Sequence, residues 1–148
     1  MTQQLFSSRE SHEVIVYTDG GSRGNPGPAA LGAVIQFGGT KKIYGEKIGN
    51  ATNNIAEYSA IIFALKKIKQ LVSKEKTKKL TVKIFMDSEL AVRQLNGEYK
   101  IENTDLQPLW LAVWNLKIDF KKVIFAHVPR EKNKEADRAV NRALDSSL

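Results

Sequence analysis

With 148 residues and no cysteine, the chain can bury one core without a disulfide or metal staple. Thiolate metal sites, thiol catalysis and disulfide frameworks are excluded. Its 23 Lys plus Arg against 16 Asp plus Glu give a net charge of +7, which favours a polyanionic partner such as nucleic acid. The polar residues 1–12 carry no signal-peptide run, and no stretch reaches the roughly 18 apolar residues of a membrane span. The expectation is one domain over residues 1–148, cytoplasmic, with residues 1–12 as a flexible leader.

Val14-Ile15-Val16-Tyr17-Thr18 is too rich in β-branched and aromatic side chains for a helix. The Gly- and Pro-rich stretch behind it predicts that this strand ends near Asp19. Alone, Asp19-Gly20 reads as a turn dipeptide; a carboxylate at a strand end is also where α/β sheets build active sites. Extended runs at residues 31–37 and 42–48 flank Gly38-Gly39, a hairpin signal. No helix-length segment precedes residue 50, so the first three strands are expected as an antiparallel meander.

Behind Thr52-Asn53-Asn54, the residues Tyr58, Ile61, Ile62, Leu65, Ile68 and Val72 recur at helical spacing. Asn or Thr is the expected N-cap, and Asn54 with Glu57 has the spacing of a capping box. Glu57 also borders the apolar stripe, where it can face the sheet, so capping and catalysis compete for it. Lys66, Lys67, Lys69, Lys74, Lys76, Lys78 and Lys79 hold much of the positive excess. They are either a solvated helix end and loop or the contact surface for a polyanion.

A fourth strand over residues 80–86 ends in Asp87-Ser88, and helices are expected at residues 88–96 and 105–117. The second presents Leu106, Leu109, Trp110, Val113 and Trp114, with both tryptophans expected in the core. A fifth strand over residues 122–128 stops at Pro129. The last helix, residues 133–145, turns Ala136, Val140, Ala143 and Leu144 inward, with Asp137 beside them. The fold class is α/β: one five-stranded mixed sheet flanked by helices, strands one to three antiparallel and strands four and five parallel to the first. Right-handed crossovers then place Asp19 and Asp87 at neighbouring strand ends.

Asp19, Glu57, Asp87 and Asp137 come from two strand ends and two helix positions. If they meet, their repulsion requires cations. Oxygen ligands without cysteine select Mg²⁺ or Mn²⁺ over zinc. In a basic protein the set suggests two-metal phosphoryl chemistry, with cations about 3.5–4 Å apart.

Four stretches carry a family resemblance: Asp19-Gly20-Gly21-Ser22-Arg23-Gly24-Asn25-Pro26-Gly27, Thr52-Asn53-Asn54-Ile55-Ala56-Glu57, Met86-Asp87-Ser88-Glu89, and His127-Val128-Pro129-Arg130-Glu131-Lys132-Asn133-Lys134-Glu135-Ala136-Asp137. In this order, within residues 14–144, they resemble type 1 ribonuclease H. The resemblance implies a ribonuclease H-like fold. It also implies a monomeric endonuclease that cuts the RNA strand of RNA/DNA hybrids, leaving 5′-phosphate and 3′-hydroxyl ends. Two Mg²⁺, with Mn²⁺ as substitute, are implied: Asp19 bridges both, Glu57 and Asp87 complete one shell, and Asp137 completes the other. His127 would assist proton transfer or product release; the alternative is a structural imidazole at a strand end. Gly20, Asn25, Thr52, Asn53 and Asn54 would contact the hybrid, with Ser88 and Asn133 as further substrate-binding positions. Such amides suit 2′-hydroxyls and minor-groove acceptors.

Two departures stand out. Residues 97–104 are short and balanced in charge where relatives with a basic protrusion insert a Lys- and Trp-rich helix, and Glu89 replaces a usual Gln. Val128-Pro129-Arg130-Glu131 with Asn133 resembles a compact branch, part of which also accepts double-stranded RNA. The rival function is a catalytically silent binding module on the same fold, which the four carboxylates disfavour. A phosphate loop at residues 20–27 lacks the Gly-Lys-Ser/Thr ending and opens into no helix.

Overall fold

The apolar alternation of two strands sets the sheet. β1 (Glu13–Ser22) buries Val14, Val16 and Thr18, and β4 (Thr81–Met86) buries Val82, Ile84 and Met86, each set spaced by two so that it shares a face. The computed structural model describes residues 12–146; the leader expected over residues 1–12 lies, His12 apart, outside the described residues. β2 (Gly27–Phe37) and β3 (Thr40–Ala51) complete the antiparallel meander, and β5 (Lys122–His127) pairs parallel to β4. The order β3-β2-β1-β4-β5, with β1 parallel to β4, is the expected mixed sheet.

Helix α1 (Asn53–Leu71) packs against β1 and β2 and α5 (Lys134–Asp145) against β1, β2 and β3. They cover opposite faces. β2 is therefore almost wholly buried, and its apolar run shows no alternation. The main core lies between the sheet and α1, α3 (Glu89–Leu95) and α4 (Gln107–Lys117), with Ile61, Leu65 and Ile68 of α1 fully buried at its centre. The lysine-rich connection contains a one-turn helix, α2 (Lys74–Thr77), capped by Ser73. No helix among the described residues is long and apolar enough to cross a membrane.

Three local expectations are corrected. β1 does not stop at Asp19 but continues to Ser22, because Asp19, Gly20, Gly21 and Ser22 pair with Gly32, Leu31, Ala30 and Ala29 of β2 after the partnership with β4 has ended at Tyr17. The capping box does not form. Thr52 is the N-cap, accepting from Ile55 N at 3.2 Å, so Glu57 lies a turn beyond the capping position and its carboxylate is released for other work. The tryptophans are not both in the core: Trp110 is half-buried and Trp114 is 43% exposed. α4 rests chiefly on another helix, α1, and buries a narrow stripe in which only Val113 is fully enclosed. Trp114 instead stacks on Trp110 at 5.7 Å, with the Lys117 ammonium 4.7 Å from its ring centre.

Candidate active site

Strand register brings the first two carboxylates together. Tyr17 pairs with Phe85, so Asp19 and Asp87 each stand two residues past the last β1–β4 pair and emerge side by side at the same sheet edge. Glu57 reaches them because α1 sits very close to β1: a Cβ on Gly20 would lie 2.2 Å from the Ala56 carbonyl carbon and 2.4 Å from Glu57 N. Only glycine permits that contact. A carboxylate oxygen from each of Asp19, Glu57 and Asp87 lies within 4.8 Å of the others.

Asp137 arrives from the opposite face. Adjacent strand residues point to opposite sides, so Gly20 faces α1 while Asp19 faces α5. Gly32, paired with Asp19, lets α5 approach until a Cβ there would meet Ala136 O at 2.3 Å. Asp137 remains exposed and stands outside the close group of three, yet it raises the Asp19 pKa by repulsion and by a hydrogen bond to it. Burial is the largest cause of that rise, Asp87 the next, and together they push the Asp19 carboxyl up to about 8. Glu57 is raised to about 7, mainly by burial; a hydrogen bond from Ser88 and the charge of Arg130 oppose the rise. The donor set is all oxygen, crowded, and carries charge that its surroundings do not neutralise. This fits a hard divalent cation.

The four carboxylates line one open cleft of about 600 Å³ with Gly20, Ser22, Arg23, Asn53, Asn54, Ser88 and Arg130. Asn25 and Thr52 are not among its lining residues. Asn25 Oδ1 accepts from Asn53 N at 3.0 Å and Asn53 Oδ1 from Ser22 N at 2.9 Å, tying the glycine-rich turn to the start of α1. The Nδ2 donors of both asparagines have no partner among the described residues. Ser88 caps α3, accepting from Ala91 N at 3.2 Å.

Asn133 does not lie where a substrate could touch it. It is 1% exposed, and its Nδ2 donates to Thr18 O at 2.9 Å and to Asp87 Oδ2 at 3.2 Å. Although it stands at the N-terminus of α5, its side chain makes no capping bond there. It ties β1, the end of β4 and the start of α5 together instead. Replacing it with Ala should lower activity by about 10- to 100-fold, the scale of losing a group that orients a metal ligand. Calorimetric Mn²⁺ binding should weaken in step; unchanged affinity and rate would show that Asp87 holds its position without it.

His127 is exposed and is not among the cleft's lining residues; it pairs in register with Met86, the residue before Asp87. Arg23 and Arg130 are cationic lining residues that the sequence did not single out. Both sit in quoted motifs, but nothing local in the sequence indicates that the Arg130 side chain turns toward Glu57.

Residues 17–143 match the family model described as "Reverse transcriptase-like". The crystal structure of RNase H1 from the archaeon Halobacterium salinarum is 38% identical, with a TM-score of 0.82 over 90% of this chain and 98% of that one. The chain belongs to the type 1 ribonuclease H family. Among relatives of this ribonuclease H chain, a bifunctional protein of Mycobacterium tuberculosis is 38% identical over 91% of it, and the chain spans only 36% of that protein's length. A second structure, LC11-RNase H1 in complex with RNA/DNA hybrid, is 41% identical, with a TM-score of 0.83 over 89% and 96% of the two chains.

Proposed function

We propose that the chain is a monomeric, cytoplasmic, single-domain endonuclease that hydrolyses the RNA strand of RNA/DNA hybrids, with double-stranded RNA as a secondary substrate. The observation that carries this reading is the convergence of Asp19, Glu57 and Asp87 within 4.8 Å, with Asp137 hydrogen-bonded to Asp19, in the lining of one cleft. The hybrid complex of LC11-RNase H1, a chain of similar fold and 41% identity, supports the choice of substrate. The absence of cysteine accords with a reducing compartment.

In this reading Asp19, Glu57, Asp87 and Asp137 would hold two Mg²⁺, or Mn²⁺ in their place. Divalent cations bound there supply Lewis acidity to the scissile phosphate and lower the pKa of attacking water, giving 5′-phosphate and 3′-hydroxyl products. The protein supplies the rest. Ser88 and Arg130 temper the charge cost at Glu57. Arg130 and Arg23, both lining the cleft, offer phosphates a cationic wall. Gly20, Thr52, Asn53 and Asn54 present amides to 2′-hydroxyls, and Asn25 anchors that surface. His127, beside Met86 in register, serves proton transfer or product release.

A labelled RNA/DNA hybrid, incubated with Mg²⁺, Mn²⁺ or EDTA, tests the reading. Cleavage should require the cation and give RNA fragments with 5′-phosphates, and a duplex with two deoxy strands should resist because the amide contacts need 2′-hydroxyls. Equal cutting of duplex DNA would remove the hybrid from the assignment. Cation-dependent binding without cleavage would favour the silent module.

A further inference from the structure

We infer that the end of the sheet opposite the carboxylates is a second, non-catalytic binding surface for the phosphate backbone of a nucleic-acid duplex. The cleft lining holds two cations, Arg23 and Arg130, whereas a larger group of lysines lies away from it. α1 starts at the cleft with Asn53 and ends at Leu71, a span of 19 residues, or about 28 Å at 1.5 Å per residue. Around that far end lie Lys66, Lys69, Lys74, Lys76, Lys78, Lys79, Lys121 and Lys122, with Glu75 and Asp119 as the acids in the same segments. These residues carry a net charge of six, against seven for the whole chain.

The fold assembles this surface from three separate segments. Lys121 N and Lys122 N both donate to Leu80 O, at 3.0 and 3.3 Å, which sets the start of β5 beside Lys78 and Lys79. Lys69, Lys74, Thr77, Lys78 and Asp119 line a groove of about 290 Å³ between the end of α1 and α2. Asp119 pairs with Lys69 and neutralises that lysine, while Lys74, Lys78, Lys79, Lys121 and Lys122 are exposed with no ion pair among the described residues. Lys67, by contrast, lies over the Tyr44 and Phe63 rings. A surface dominated by ammonium groups, with Gln70 as an exposed amide among them, suits phosphates and reads little sequence.

This rests on the proposed nuclease activity only in the choice of nucleic acid as the polyanion. A held duplex would raise the local concentration of cleavable hybrid at the cleft. A DNA duplex, which lacks the 2′-hydroxyls the cleft requires, isolates the second surface. Its affinity, followed by fluorescence anisotropy, should fall at least tenfold in a Lys74→Gln, Lys78→Gln, Lys79→Gln variant at about 50 mM salt. The log-log salt slope should flatten by up to about 2.7, three contacts at 0.9 each. A control carrying Lys41→Gln, Lys42→Gln and Lys47→Gln on β3 makes the same charge change elsewhere and should bind within about twofold of the parent. Cleavage of a hybrid too short to span both ends should keep its kcat in the lysine variant.

Equal losses in the two variants, or no loss in either, overturn the proposal. So does lysine-dependent binding to vesicles of phosphatidylserine and phosphatidylcholine alongside unchanged DNA affinity. Failure of the parent to cleave hybrid would overturn the nuclease reading, while the anisotropy comparison would still decide the surface.

Discussion

Asp19→Asn is expected to lower hybrid cleavage by on the order of 10³-fold or more, the scale of losing a preorganised electrostatic element, while raising the melting temperature of the cation-free protein. Both effects have one cause. Asp19 is the residue on which burial, Asp87 and Asp137 converge, and its carboxyl is pushed up to about 8 from an ordinary 3.8. A raised carboxyl pKa means that the folded state prefers the protonated form. The associated stability is fully present below about pH 4 and is lost as pH rises through about 8. Asn does not ionise and escapes that loss. In EDTA the variant should match the parent near pH 4 and exceed it by a margin that grows up to about pH 8 and then levels off, on the order of 2 kcal/mol or roughly 4–8 °C. Thermal scans across that range check the sign. Parental Mg²⁺-dependent cleavage would sink the assignment of Asp19 as a metal ligand, and a pH-independent gap would show that the cost is not electrostatic.

Gly20→Ala should be the most damaging small substitution in the chain. One methyl group would have to occupy space 2.2–2.4 Å from three backbone atoms of Ala56 and Glu57. No rotamer change relieves a clash with backbone, so the first turn of α1 must move away from β1, at about 3 kcal/mol or more. Glu57 moves with it, and activity should fall further than stability alone would account for. Gly39→Ala provides the contrast, since a Cβ there meets nothing within 4 Å, and it should stay within about 0.5 kcal/mol of the parent. Melting temperature and kcat measured on the purified variants separate the two. A parental melting temperature for Gly20→Ala would mean that α1 does not seat on Gly20 as described.

Much of this was legible because its causes are local. The β-branched and aromatic run from Val14 to Thr18, the Gly38-Gly39 hairpin and the helical spacing from Tyr58 to Val72 specify elements within a few residues, and the structure has those elements. Expectations failed where a partner distant in sequence decided the outcome. β1 continues past Asp19 because β2 continues beside it. Trp114 is exposed because α4 has a helix rather than the sheet beneath it. The asparagines divide in the same way: Asn53 and Asn54 line the cleft, whereas Asn133, equally polar in sequence, is enclosed against Thr18 and Asp87.

The sequence by itself determined the order of the strands and longer helices and the parallel placement of β4 beside β1, since periodicity, turn chemistry and crossover handedness act over short spans, and it singled out the four carboxylates as candidates. Only the tertiary structure decided which groups meet. Gly20 and Gly32 are unremarkable in a strand pattern, yet they set how closely α1 and α5 approach from opposite faces, and thereby bring Glu57 and Asp137 to Asp19. The same packing decided that Glu57 is released from capping, that Arg130 lines the cleft, and that lysines of three separate segments meet at the other end of the sheet. Side-chain contact depends on the distance between backbones brought together by folding, and no window of sequence contains that distance.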